Sequence, residues 1–140
     1  QMCIRDRSAT AHWAGNGKEG KGTVSTESGV LSAANYSYKT RFEEGIGTNP
    51  EELIGAAHAG CFSMKLAFVL QAANIIADSI ETKAQVILDQ GAITEVKLFT
   101  RVKAEGLDQA SFEKYALEAK ENCPVSKLLK AEISLDAELV

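Results

Sequence analysis

Hydrophobic and polar positions alternate in short stretches over the first third of the chain. Residues 9–15 and 22–26 each alternate in part, and Gly15-Asn16-Gly17-Lys18-Glu19-Gly20 between them has turn composition, which predicts a hairpin. Ser28-Gly29 punctuates again, and Tyr36-Ser37-Tyr38-Lys39-Thr40-Arg41-Phe42 alternates aromatic and polar residues as a third strand. Gly45-Ile46-Gly47 breaks this pattern ahead of the clearest helix start in the chain. Thr48 or Asn49 can cap, Pro50 falls at the first helical position, and Glu51 and Glu52 fill the first turn, where acidic side chains suit the helix dipole. Leu53, Ala57, Cys61, Met64 and Phe68, with Ile54 and Ala56 beside them, keep a three-to-four spacing, so the helix should run to about Ala73. Gly55, Ala56, Ala57, Ala59 and Gly60 leave its centre narrow, as in a buried helix against which another backbone packs closely.

Period-two patterning then returns. Ile80, Thr82, Ala84, Val86 and Leu88 alternate with polar neighbours, as do Val96, Leu98, Thr100 and Val102, predicting a long hairpin that turns near Asp89-Gln90-Gly91. Asp108 or Ser111 can cap a second helix to about Glu121, with Phe112, Tyr115, Ala116 and Ala119 on one face. Cys123-Pro124 stops it and opens a short helix to Leu129, and Ile133, Leu135, Ala137 and Leu139 alternate as a last strand. Such an order predicts an α+β domain of antiparallel sheet with segregated helices.

With 140 residues, one domain is expected. Residues 9–140 form it, and residues 1–8 are read as a non-native or disordered N-terminal remnant, because Gln-Met-Cys-Ile-Arg-Asp-Arg fits no pattern that follows and lacks the marks of a secretory signal. A net charge of −4 with scattered lysines and arginines argues against nucleic-acid and acidic-membrane partners. The longest apolar stretch, residues 53–73, is interrupted by His58, Ser63, Lys65 and Gln71, short of the roughly 20 apolar residues of a membrane span. A cytoplasmic location is expected. There, a pair of cysteines is more often redox-active than a structural bridge.

Setting Cys3 aside with the remnant leaves Cys61 in mid-helix and Cys123 at a helix start. If they meet in space they form a dithiol/disulfide pair. Thiolate is the reactive form, and a cysteine with a pKa of about 8.5 needs help to reach it. The short helix can supply N–H groups to Cys123, whereas Cys61 needs a cation. The plain alternative makes Cys61 a small core residue and Cys123 a fortuitous cap. His58 sits three residues before Cys61, on nearly the same face. A metal site of His58, Cys61 and Cys123 is the weaker reading, since no short-spaced ligand pair occurs, and a hydrogen-bonded core or interface histidine is the stronger. Arg41, Glu51 and Glu52 flank the long helix, where a solvated strand end and helix start would explain them equally. The glycines of residues 15–22 lack phosphate-loop spacing, and Ser63 lacks a nucleophile-elbow context.

The segment Gly47-Thr48-Asn49-Pro50-Glu51-Glu52-Leu53-Ile54-Gly55-Ala56-Ala57-His58-Ala59-Gly60-Cys61-Phe62-Ser63-Met64 closely resembles the osmotically induced protein C (OsmC) family. So do Asn122-Cys123-Pro124-Val125-Ser126-Lys127 and Gly20-Lys21-Gly22-Thr23-Val24-Ser25-Thr26-Glu27-Ser28-Gly29-Val30-Leu31. The likeness covers about residues 9–140, and the Ala-His-Ala-Gly-Cys-Phe-Ser-Met form resembles OsmC proper more than the sister organic hydroperoxide resistance branch. The resemblance implies an OsmC-like fold with a long central helix, assembled as an intertwined homodimer with sites at the interface. It implies a thiol peroxidase acting on organic hydroperoxides and hydrogen peroxide, with Cys61 peroxidatic, Cys123 resolving, Arg41 the active-site arginine and Glu51 the acid that orients it. The recycling partner would be an external dithiol, such as a lipoylated protein, and no metal, haem, flavin or other cofactor is required. Two further readings stay open: a redox-sensing or thiol-disulfide exchange protein without peroxide turnover, and a non-enzymatic dimeric binding protein.

Overall fold

The structure is a computed structural model that describes residues 5–43 and 46–140. Cys3 and Gly45, both singled out in the sequence, lie outside those residues. The chain divides into two compact units, Gln1–Pro50 and Glu51–Val140.

The first unit contains β1 (Ala9–Ala14), β2 (Lys21–Thr26), β3 (Ala34–Tyr36) and α1 (Tyr38–Phe42). The strands form an antiparallel meander in the order β1-β2-β3, with Ala9 opposite Thr26 and Gly22 opposite Tyr36. Ser8 continues the first pairing by hydrogen bonding to Glu27 through both backbone and side chain. Gly22 is required where it stands, because a Cβ there would come within 2.5 Å of the Trp13 and Tyr36 rings, which pack against each other at 5.4 Å.

Residues 36–42 do not form the third strand expected from their alternation. The strand stops at Tyr36, and Ser37 opens a helical turn. Ser37 Oγ accepts from the Thr40 N–H at 3.4 Å, and Thr40 Oγ1 accepts from the Ser37 N–H at 2.8 Å. This reciprocal cap satisfies donors that a helix start leaves open, and it outweighs the strand preference of the aromatic residues. Arg41 therefore projects from a short helix.

The second unit holds α2 (Pro50–Ala72, entered at the last residue of the first unit), β4 (Ser79–Asp89), β5 (Ala92–Lys103), α3 (Gln109–Asn122), α4 (Pro124–Leu128) and β6 (Glu132–Leu139). β4 and β5 form the expected antiparallel hairpin, turning at Gln90 (φ 51°) and Gly91 (φ 81°), the left-handed pair that matches strand twist. β6 pairs with β5 in parallel, Glu95 opposite Glu132 through Val102 opposite Leu139, where an all-antiparallel sheet was expected. The reason is the crossover: α3 and α4 carry the chain back along the sheet before β6 begins, which is how parallel neighbours are connected.

The long helix is correctly bounded, but its core-facing side is not the one expected. Gly55, His58, Phe62, Leu66, Val69 and Leu70 are buried, whereas Met64 and Phe68 are 64% and 59% exposed. Both faces of α2 are apolar, so spacing alone could not choose between them. The choice is made by packing of Phe62, Leu66 and Leu70 in a core with Val96, Leu98 and Val102 of β5 and Phe112, Ala116 and Ala119 of α3. Contrary to the sequence expectation, α2 is by length and composition apolar enough to cross a membrane. The packed face is that of a core helix. Close approach occurs at Gly55, where a Cβ would lie 3.5 Å from the Ala84 carbonyl and Val86. Ser63 is tied to the sheet through its hydroxyl, which donates to Thr82 at 2.7 Å, and Thr82 lies 3.0 Å from buried Thr100.

Candidate active site

Cys61 lies midway along α2 and is half-buried, while Cys123 is fully buried between α3 and α4. Cys123 ends one helix and begins the next. Its N–H bonds the Ala119 carbonyl at 2.9 Å, and Pro124 follows at the first position of α4, where a missing N–H costs nothing. This double role turns the Cys123 side chain toward α2. Cys61 packs against the core cluster that holds Cys123, and the two thiols are close enough that each perturbs the titration of the other.

Their environments push them in opposite directions. Burial pushes the Cys61 thiol up. The Val125 N–H works against this, but Cys61 also serves as hydrogen-bond donor to Cys123, and Lys65 one turn on gives only a small opposing attraction. For Cys123 burial is again the largest influence and pushes upward. It is outweighed by the Ser126 N–H, the Cys61 thiol, the Ser126 hydroxyl and the Val125 N–H, and the net direction is down. The pair thus favours a proton on Cys61 and negative charge on Cys123, since hydrogen bonds to the charged form stabilise it.

His58 is fully buried one turn before Cys61, with Nε2 2.7 Å from Ser126 Oγ. Burial lowers its pKa, which keeps the ring neutral. It is the hydrogen-bonded core histidine expected from the sequence. Among the described residues no three His, Cys, Asp or Glu side chains are gathered as metal ligands. Ser126 carries no role of its own in the sequence beyond its place in the motif around Cys123 and Pro124. The signal was available: residues 58 and 61, and 123 and 126, are two pairs at helical i, i+3 spacing, so two cysteines that meet bring the other two side chains near each other.

The remaining expected site residues, Arg41 and Glu51, fall on either side of the boundary between the two units. Arg41 lies on α1, its guanidinium 5.3 Å from the Phe42 ring, beside a pocket of about 110 Å³ lined by Trp13, Tyr36, Tyr38 and Phe42. Asn49 Nδ2 donates to the Thr40 carbonyl at 2.7 Å and the Thr48 N–H to the Asn35 carbonyl at 2.8 Å, which fixes the segment ahead of α2 on α1 and β3. Glu51 is in the first turn of α2 and buried. The structure thus brings Cys61 and Cys123 into contact, and it places Arg41 in the first unit and Glu51 at the start of the second.

Residues 43–138 match the model of the OsmC-like protein family. Peroxiredoxin OsmC of Escherichia coli strain K12 is 53% identical over 92% of this chain and 93% of its own length. Organic hydroperoxide resistance protein OhrB of Bacillus subtilis strain 168 is 32% identical over 84% and 88%. Among solved structures, an organic hydroperoxide resistance protein OsmC from Legionella pneumophila aligns with a TM-score of 0.69 at 23% identity over 99% of this chain and 98% of that one, a likeness of fold. Taken with the α+β architecture built on a long helix, these matches make the chain a member of the OsmC family.

Proposed function

We propose that this protein is a cysteine-based peroxidase that reduces organic hydroperoxides, and hydrogen peroxide less readily. The observation that carries the reading is the contact between Cys61 and Cys123, one thiol half-buried and one fully buried. The similarity to peroxiredoxin OsmC and OhrB supports the same chemistry.

Accessibility supports Cys61 as the peroxidatic and Cys123 as the resolving cysteine. Peroxide reaches Cys61, and Cys123 waits behind it. Cys61 holds the proton in the isolated pair, so it needs a cation to become the nucleophile. Arg41 supplies one, from the partner subunit of an intertwined homodimer, with Glu51 orienting the guanidinium through a bidentate pair. The Cys61 thiolate attacks the distal peroxide oxygen, the O–O bond breaks, and the alkoxide takes a proton and leaves as alcohol. The resulting sulfenic acid condenses with Cys123, forming an S–S bond and releasing water. An external dithiol, such as a lipoylated protein, restores both thiols by exchange. The exposed Met64 and Phe68 on α2 are the surface that a partner subunit would cover, since apolar patches of this kind mark association. The assembly would work in the cytoplasm.

The deciding experiment follows cumene hydroperoxide consumption with a dithiol present. Wild type turns over, Cys61→Ser does not, and mass spectrometry after one equivalent of hydroperoxide finds a Cys61–Cys123 disulfide within one chain. Substantial turnover by Cys61→Ser, or only bridges between chains, would refute the assignment. Disulfide exchange without peroxide consumption would establish the alternative redox-sensing or thiol-exchange role.

A further inference from the structure

His58 has no part in the reaction just described, yet it is fully buried beside the two cysteines. Nε2 is 2.7 Å from Ser126 Oγ, and Nδ1 is buried without a hydrogen-bond partner. The contrast assigns the tautomer. Orphaned buried N–H groups are rarer in folded proteins than acceptors lacking a donor, so the proton sits on Nε2 and the unpartnered Nδ1 carries a lone pair. Nε2–H then donates to Ser126 Oγ, and the hydroxyl directs its own proton elsewhere. The acceptor within its reach is the sulfur of Cys123, the N-cap of α4 three residues before it, and the Ser126 side chain lowers the Cys123 pKa.

We propose that His58 is a positioning residue for Cys123: its Nε2–H holds the Ser126 hydroxyl so that the hydroxyl proton points at the Cys123 sulfur, readying that sulfur to close the disulfide. Burial keeps His58 neutral, so it acts as a fixed donor and not as an acid. The charged and titratable groups acting on this pair are Cys61, against Cys123, and Lys65, against Cys61. The role rests on the peroxidase reading for its place in a reaction. There, the Cys123 sulfur attacks the Cys61 sulfenic sulfur with its electron pair, the S–S bond forms as the S–O bond breaks, and the departing hydroxide takes a proton from solvent to leave as water. A hydroxyl turned toward His58 would give no stabilisation to the attacking thiolate.

The first test needs no peroxide. In a full chain carrying Cys3→Ser and Cys61→Ser, Cys123 is the remaining thiol, and its ultraviolet thiolate absorbance is titrated against pH. His58→Leu and Ser126→Ala should each move the midpoint upward by roughly half a unit to one unit. His58→Gln, which keeps an amide N–H for the same donation, and Ser126→Thr, which keeps the hydroxyl, should restore it. The double change His58→Leu with Ser126→Ala should shift the midpoint no further than Ser126→Ala alone, because both break one chain of hydrogen bonds. An unmoved midpoint in Ser126→Ala, equal shifts in His58→Leu and His58→Gln, or additive shifts would overturn the proposal. Should His58→Leu not fold, Ser126→Ala, Ser126→Thr and His58→Gln carry the same decision. In single turnover with one equivalent of cumene hydroperoxide, His58→Leu should accumulate Cys61 sulfenic acid and close the disulfide severalfold more slowly than His58→Gln. No peroxide reaction in wild type would defeat the peroxidase reading and leave the titration standing.

Discussion

Phe62 should dominate the stability of the unit that holds both cysteines. It heads the largest fully buried side chains and sits between Cys61 and Ser63 on α2. Replacing a buried Phe by Ala removes its apolar area from the core and leaves a cavity that neighbours only partly fill, for a cost of about 3–5 kcal/mol. Its neighbours here belong to different elements: Leu66 and Leu70 on the same helix, Val96 and Leu98 on β5, Phe112 on α3. A collapse of any one would pull it from the others, which favours the upper part of that range. Native domains are stable by only about 5–15 kcal/mol, so Phe62→Ala removes a large share. At roughly 3–5 °C per kcal/mol for a chain of this length, the melting temperature should fall by about 10–20 °C. Urea denaturation followed by far-ultraviolet circular dichroism would measure the loss, with the midpoint moving and the slope unchanged. Phe62→Leu retains most of the buried apolar area and should cost about half as much. A loss below about 1 kcal/mol for Phe62→Ala would refute the reasoning that α2 is held by this face.

Thr100→Val keeps side-chain shape but removes the hydroxyl that meets Thr82 and the Glu81 carbonyl; a loss of about 1–3 kcal/mol in the same assay is expected. Arg41→Lys keeps the charge and loses the planar fork, and kcat/KM for cumene hydroperoxide should fall roughly tenfold or more, about 1.4 kcal/mol of transition-state stabilisation per tenfold; wild-type activity would reduce Arg41 to a surface residue. Light scattering should find a dimer, and inactive Arg41→Ala co-refolded with inactive Cys61→Ser should regain part of the activity, because some mixed dimers carry one intact shared site. Burial lowers the His58 pKa below its ordinary value near 6.5, so the unfolded chain takes up the proton more readily than the folded one. The stability this contributes is complete above about pH 6.5 and is lost as pH falls through the folded value; the acid-side loss should shrink in His58→Gln.

Element order was legible in the sequence wherever a signal was local. Pro50 with Glu51 and Glu52 marked the start of α2, and Gln90-Gly91 marked the β4–β5 turn. Two local signals competed at residues 36–42, and the Ser37–Thr40 cap prevailed over aromatic alternation. The buried face of α2 was not legible, because Cys61, Met64 and Phe68 are as apolar as Phe62, Leu66 and Leu70, and only tertiary packing distinguishes them. Pairing of β6 with β5 was equally out of reach, since a strand's own pattern carries no direction. For the candidate site, the cysteines announced themselves by type and context, while Ser126 became visible only when the fold placed it against His58.

The path of the chain between the two cysteines has a consequence for how redox state would be felt by the whole unit. Cys61 and Cys123 are 62 positions apart in sequence, and β4, β5 and α3 lie in the span between them. A disulfide here would close a ring around most of the second unit and confine its unfolded ensemble. By polymer loop closure that amounts to about 4 kcal/mol at 25 °C. Because the thiols already touch in the reduced fold, little of this gain would be spent on rearrangement. Oxidised and reduced protein would then differ in melting temperature by far more than most single substitutions achieve, so a thermal scan would report the redox state. The reductant would have to open a ring that steadies the fold, and a thiol-reducing environment would return the protein to its more easily unfolded form.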